Sequence, residues 1–101
     1  MTPQLIADLE RARALIDTPD KWLQGKLRKS GSDGKPCRWC VLGACYQIAE
    51  RDEPARYHNM TKALNGVLGE PVTDWNDAPE RTHAEVLAAF DRAIANERSK
   101  A

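Results

Sequence analysis

The chain has 101 residues, 42% apolar and 30% charged, a balance that argues against wholesale disorder and fits one domain, residues 1–101, around one modest core. Fifteen Lys and Arg offset fifteen Asp and Glu, and with a pI near 6.7 the chain lacks the strongly basic footprint of a dedicated nucleic-acid binder. No apolar run approaches the roughly 18–20 residues that span a bilayer, and Met1-Thr2-Pro3-Gln4-Leu5 has no basic region leading into an apolar stretch, so a cytoplasmic domain without membrane contact is expected.

Thr2-Pro3 reads as a helix start, threonine capping and proline at the first helical position, where its missing N–H does no harm. Leu5, Ile6, Leu9, Ala12 and Ile16 follow on one helical face, and Thr18-Pro19-Asp20 ends the element. Between Lys21 and Pro36 the periodicity fails. Ser30-Gly31-Ser32-Asp33-Gly34 is a turn former with the Asp-Gly pair of tight hairpins, so the segment reads as a loop with room for a short two-stranded ribbon, pinned to the core by Trp22.

Arg38 to Glu50 reads as a central helix, apolar around most of its circumference, with Gly43-Ala44-Cys45 small enough to admit a neighbouring helix. Pro54 opens a third helix with Tyr57, Met60, Leu64, Val67 and Leu68 on its inner face, and Gly69 suits the left-handed turn after it. A loop over 70–81 holds Trp75-Asn76-Asp77, with Trp75 as its core anchor and Arg81 placed to pair with Asp77. Thr82-His83-Ala84-Glu85 is a capping box opening the last helix, lined inside by Val86, Leu87, Phe90 and Ile94, and from Asn96 the tail is polar and expected to fray. The fold class is therefore all-α: a small irregular bundle of about four helices, with the option of a β-ribbon in the 21–38 loop.

Three islands, Trp22-Leu23-Gln24-Gly25, then Arg38-Trp39-Cys40-Val41-Leu42-Gly43-Ala44, then Trp75-Asn76-Asp77 with Arg81-Thr82 and Glu85-Val86, together resemble an uncharacterised family of small bacterial and phage proteins, a domain of unknown function. The resemblance runs from about residue 5 to residue 95. It implies a lineage and no activity; a phage setting implies, by analogy, a part in host takeover or counter-defence. Cys40 belongs to the second island, whereas Cys37 and Cys45 lie outside it.

The cysteines allow several chemistries. Cys37-x-x-Cys40 has the spacing of a metal knuckle, with Cys45 five residues on, but no second pair completes a tetrahedral set, and in a helix Cys40 and Cys45 would diverge. Buried structural thiols are the favoured reading, and no metal or cofactor is expected. As an alternative, Cys40 near a helix N-terminus could be a thiolate nucleophile, its pKa lowered by the dipole, with His83 as base and Asp77 or Asn76 orienting it. A redox pair is disfavoured because no β-α-β pattern surrounds the motif.

Charge is segregated along the chain. Residues 21–38 hold six bases (Lys21, Lys26, Arg28, Lys29, Lys35, Arg38) against Asp33 alone, and residues 70–91 hold six acids against Arg81 alone. The basic segment could be a plain solvated loop, could pair with the acidic one inside the molecule or across a dimer, or could hold phosphate. The favoured reading is a small non-catalytic interaction module that binds a host protein or itself through the 21–38 and 70–81 segments. Its candidate contacts are Trp22, Gln24, Lys26, Arg28, Lys29 and Lys35 on one side, and Trp39, Trp75, Asn76, Asp77 and Arg81 on the other. Trp22, Trp39 and Trp75 could line one pocket with Cys40 and Asp77 at its rim. Alternatives are a thiol enzyme using Cys40 and a weak nucleic-acid binder using the basic segment.

Overall fold

The computed structural model describes residues 3–49 and 53–100, and among them are five α-helices and one two-stranded antiparallel sheet. The first helix, α1, is Pro3–Leu15; Thr2, its expected cap, lies outside the described residues. Leu5, Leu9, Ala12 and Ile16 are buried at the expected spacing. So is Asp8, on the same face: its carboxylate accepts from Gln4 at 2.7 Å and from Arg56 Nε and Nη2 at 3.0 and 2.8 Å. Burial alone would raise its pKa, but the bonds from Arg56 and Gln4 outweigh that and hold it below the usual value.

After a 3-10 turn at Pro19–Lys21, strands β1 (Arg28–Ser30) and β2 (Pro36–Trp39) form the ribbon the Asp-Gly turn suggested. Arg28 faces Trp39 and Lys29 faces Arg38, with an irregularity before Ser30 meets Pro36. Gly34 takes the left-handed backbone at φ +79°, and Lys35 N donates to Asp33 Oδ1 at 3.0 Å to close the turn.

The ribbon corrects the start of the central helix. Arg38 and Trp39 are strand, and α2 covers Val41–Ala49; Glu50, its expected end, lies outside the described residues. The cause lies in the backbone: the Trp39 carbonyl accepts from Leu23 N at 3.0 Å, and Cys40 N donates to the Leu27 carbonyl at 3.1 Å. Groups committed sideways cannot join a helical ladder. The helix begins once Ala44 N reaches the Cys40 carbonyl at 2.9 Å.

Helix α3 (Pro54–Leu68) ends at Gly69, which is left-handed as expected. The expected loop over 70–81 is instead partly helical: α4 covers Val72–Asp77 and buries Val72, Trp75 and Asn76, the i, i+3, i+4 positions of one short face. Asn65 Oδ1 accepts from Val72 N at 2.9 Å and satisfies a donor of its first turn. Helix α5 (His83–Ser99) opens with both bonds of the capping box. It also runs past the expected fraying point, because Glu97 is 3% exposed and pairs with Lys100, while Arg98 reaches Glu10 at 2.7 Å. The core forms where α1 packs on α2 and α5 and α3 packs on α2 and α5, with Phe90, Leu9, Ile16, Met60 and Leu64 at its centre.

Gly43 has the packing role its position in a helix demanded, but its neighbour is not a helix. A Cβ built there would overlap the Leu27 carbonyl, so the ribbon backbone lies directly on α2 at this residue. Gly66, in α3, meets nothing within 4 Å. Chemical denaturation of two variants separates the cases. Gly43→Ala should lose about 2–3 kcal/mol because neither backbone can yield, whereas Gly66→Ala should gain about 0.5–1 kcal/mol from helix propensity alone.

Candidate functional site

The three sequence islands meet at the side chain of Asn76, which is 1% exposed. Its Oδ1 accepts from Trp22 Nε1 at 2.9 Å and from Val41 N at 3.1 Å. Its Nδ2 donates to the Leu23 carbonyl at 3.2 Å and to Asp77 Oδ1 at 2.9 Å. Both acceptor and both donor capacities of the amide are therefore met. Val41 N is a first-turn donor of α2, so α4 caps α2 from outside its own chain segment. Around this centre Gln24 Nε2 donates to the carbonyls of Asn76 and Ala78 at 2.9 and 2.8 Å, and Gly25 N, on a residue with φ +83°, donates to Asp77 Oδ1 at 2.9 Å.

Of the sequence-selected residues, Trp22, Gln24, Asn76 and Asp77 thus belong to one hydrogen-bonded knot. Trp75 is the buried anchor expected of it, and the Arg81 guanidinium stacks 4.0 Å above its ring while Arg81 Nε donates to the Trp75 carbonyl. The expected Arg81–Asp77 pair does not form; Arg81 pairs with Glu85 at 3.1 Å because Asp77 faces Gly25 and Asn76. Trp39 is buried too and enters the knot through its carbonyl, its indole N–H having no partner among the described residues. Lys26, Arg28, Lys29 and Lys35 are exposed on the ribbon.

Electrostatic pairing of the basic and acidic segments inside the molecule is absent among the described residues. Lys21 pairs with Asp17, Arg38 Nε donates to the Asp20 carbonyl, Glu85 pairs with Arg81 and Asp91 with Arg13. Lys26, Arg28, Lys29 and Lys35 on one side, and Glu70, Asp74, Asp77 and Glu80 on the other, make no salt bridge with any described residue.

The thiol constellation does not assemble. Cys40 is buried, as the favoured reading of the sequence had it, and burial pushes its pKa up despite its place at a helix start, so the alternative thiolate is disfavoured. His83 Nε2 sits 2.7 Å from the Ile16 carbonyl, an acceptor that requires this nitrogen to carry the proton, and the ring lies beside Trp22. Cys45 is fully buried, its thiol pushed far up by burial. Cys37 is exposed, with Sγ 3.5 Å from the Lys29 carbonyl. Among the described residues no group of three or more His, Cys, Asp or Glu side chains converges as a metal site would require.

A cavity of about 150 Å³ opens beside the knot, with Cys40 and Asp77 on its wall as the sequence suggested. None of the three tryptophans lines it; its other walls are Gly25, Lys26 and Leu27 from the ribbon side, Leu42 from α2, and Thr73 and Asn76 from α4. That volume falls below the roughly 300–1,000 Å³ of small-molecule sites. Sequence reasoning missed Leu27, Leu42 and Thr73. Leu27, 53% exposed, carried a readable signal: a large aliphatic side chain set among Lys26, Arg28 and Lys29.

Two measurements check this geometry. Asn76→Ala should cost about 3 kcal/mol in a denaturant titration, since it strands the buried Trp22 and Val41 donors at once. In the folded protein, iodoacetamide should modify Cys37 first by mass spectrometry and leave Cys40 and Cys45 until denaturant is added.

Residues 1–96 match the model of a family described as a family of unknown function, DUF6197. No curated protein and no solved structure matches the chain. With the match spanning all three islands of the knot, the chain belongs to this family of unknown function.

Proposed function

We propose that the chain is a non-catalytic interaction module of the cytoplasm, which engages another macromolecule through the 21–38 ribbon and the 70–81 segment. The observation that carries this reading is the set of four bases, Lys26, Arg28, Lys29 and Lys35, that stand without counter-charge on a ribbon locked to the core. An isolated two-stranded ribbon is marginal in water. Here its base is fastened at Leu23, Leu27 and Trp39, so the charges are presented on a fixed frame rather than on a loose loop. Such a frame lowers the ordering cost of binding.

The thiol route lacks comparable support, since the candidate nucleophile is buried with a raised pKa and the candidate base is bonded to a carbonyl. No helix among the described residues is long and apolar enough to cross a membrane. If the lineage is a phage one, as the island resemblance implies, a host protein is the natural partner.

The test is capture from host lysate by immobilised protein, comparing wild type, a K26E/R28E/K29E/K35E variant and Cys40→Ala. The reading requires the captured partner to be lost with the ribbon variant, which should keep wild-type circular dichroism, and kept with Cys40→Ala. The reverse pattern would overturn it in favour of the thiol. A captured partner that proves to be nucleic acid, with a salt-dependent shift on random DNA or RNA, would replace the protein partner by the phosphate backbone.

A further inference from the structure

One base, Lys26, one acid, Asp77, and the exposed Leu27 line one cavity, and their order is informative. On one side are Gly25, Lys26 and Leu27, continuous with the basic β1; on the other are Thr73 and Asp77 of the acidic α4; Leu42 of α2 lines the cavity between them. Leu27 (53% exposed) and Tyr46 (43%) are the large apolar side chains left exposed among the described residues. Leu27 lies over Gly43 of α2, and Tyr46 follows Leu42 by one turn of that helix. The surface therefore runs from positive, through apolar, to negative.

Resting on the interaction-module reading, we infer that this surface closes on a second copy of the chain about a two-fold axis at the cavity. An isologous interface needs a patch complementary to itself after half a turn. Rotation about an axis through the Leu27–Leu42 centre brings the basic ribbon of each copy against α4 of the other, and Leu27 of each copy to the partner's cavity. The intramolecular alternative is not used: neither charged group satisfies the other within the described part of one chain. The cavity, about 150 Å³, is too small for most ligands but suits an aliphatic side chain. The pairing charges are exposed, so the contact weakens with salt as the screening length falls from about 10 Å at 0.1 M to about 3 Å at 1 M.

Sedimentation and native mass spectrometry test the dimer. At low salt the chain is expected at twice its 11.3 kDa mass, dissociating as salt is raised. K26E/R28E/K29E/K35E leaves both flanks acidic and E70K/D74K/E80K leaves both basic, so each variant alone should dimerise at least about tenfold more weakly, while an equimolar mixture of the two should restore a one-to-one dimer at low salt. Leu27→Ser should weaken dimerisation without changing the thermal midpoint of the diluted, monomeric protein. A wild-type chain that stays single at low salt and millimolar concentration overturns the dimer, as do variants that dimerise like wild type or a mixture that does not pair. Those results leave the module reading standing; that reading falls only if the ribbon charges prove irrelevant to partner capture.

Discussion

A single buried carboxamide organises this fold. The amide of Asn76 accepts the Trp22 indole N–H and the first free backbone N–H of α2, and donates to the Leu23 carbonyl and to Asp77. Three segments distant in sequence thereby share one set of hydrogen bonds around a side chain that is 1% exposed. Each of those groups would cost free energy if buried without a partner, so the short α4, the crossover and the start of α2 must settle together or not at all. The ribbon depends on the same point at one remove: it leaves the knot at Gly25 and returns to it at Trp39 and Cys40.

The three islands singled out in the sequence are mainly the parts of that knot. Trp22 and Gln24 bond to it, Gly25 supplies a left-handed turn beside Asp77, and Gly43 leaves room for the Leu27 carbonyl. Trp75 and Arg81 stack on its outer side. A set of Trp, Asn, Asp and Cys invites an enzymatic reading, yet here these side chains are engaged by backbone groups and by one another. Cys40 shows how local placement can mislead. Its position before a helix favours a thiolate, but desolvation at a buried site opposes any charged form, and desolvation wins.

What could be read from the sequence follows from how far each signal reaches along the chain. The long helices were legible because their burial repeats over three or more turns, as in Leu5, Leu9, Ala12 and Ile16, and the Thr82–Glu85 box marked its boundary through bonds confined to four residues. The ribbon was legible only as an option attached to Asp33-Gly34. Helix α4 was missed because six residues are too short to show a period, and its stability comes from Trp75 and Asn76 reaching other segments. The start of α2 was misplaced for the same reason: the Leu23 N–H and the Leu27 carbonyl that hold Trp39 and Cys40 in extended form belong to a segment no local pattern reveals. The meeting of the islands was suspected, but its geometry was not. The three tryptophans were expected to line one pocket together and do not: Trp75 lines a separate cavity with Arg81, and the cavity beside the knot is left to residues that include Leu27, Leu42 and Thr73.

Fold and function can be separated within this surface, although they lie side by side. Asn76, Gly25 and Gly43 have their roles fixed by backbone geometry and burial, and a change at any of them acts through stability first. The side chains of Lys26, Leu27, Thr73 and Asp74 lie within three residues of these positions, yet they are exposed and hold no described segment in place, Leu27 fastening the ribbon through its backbone carbonyl alone. A rigid seam with an unconstrained rim allows the rim to change partner chemistry at little cost to the fold, because surface substitutions away from buried networks are usually worth less than about 0.5 kcal/mol. The charge balance follows the same division. A net charge of zero would ordinarily suggest an electrostatically quiet protein, but here it covers a basic ribbon and an acidic 70–80 segment that form no salt bridge with each other among the described residues.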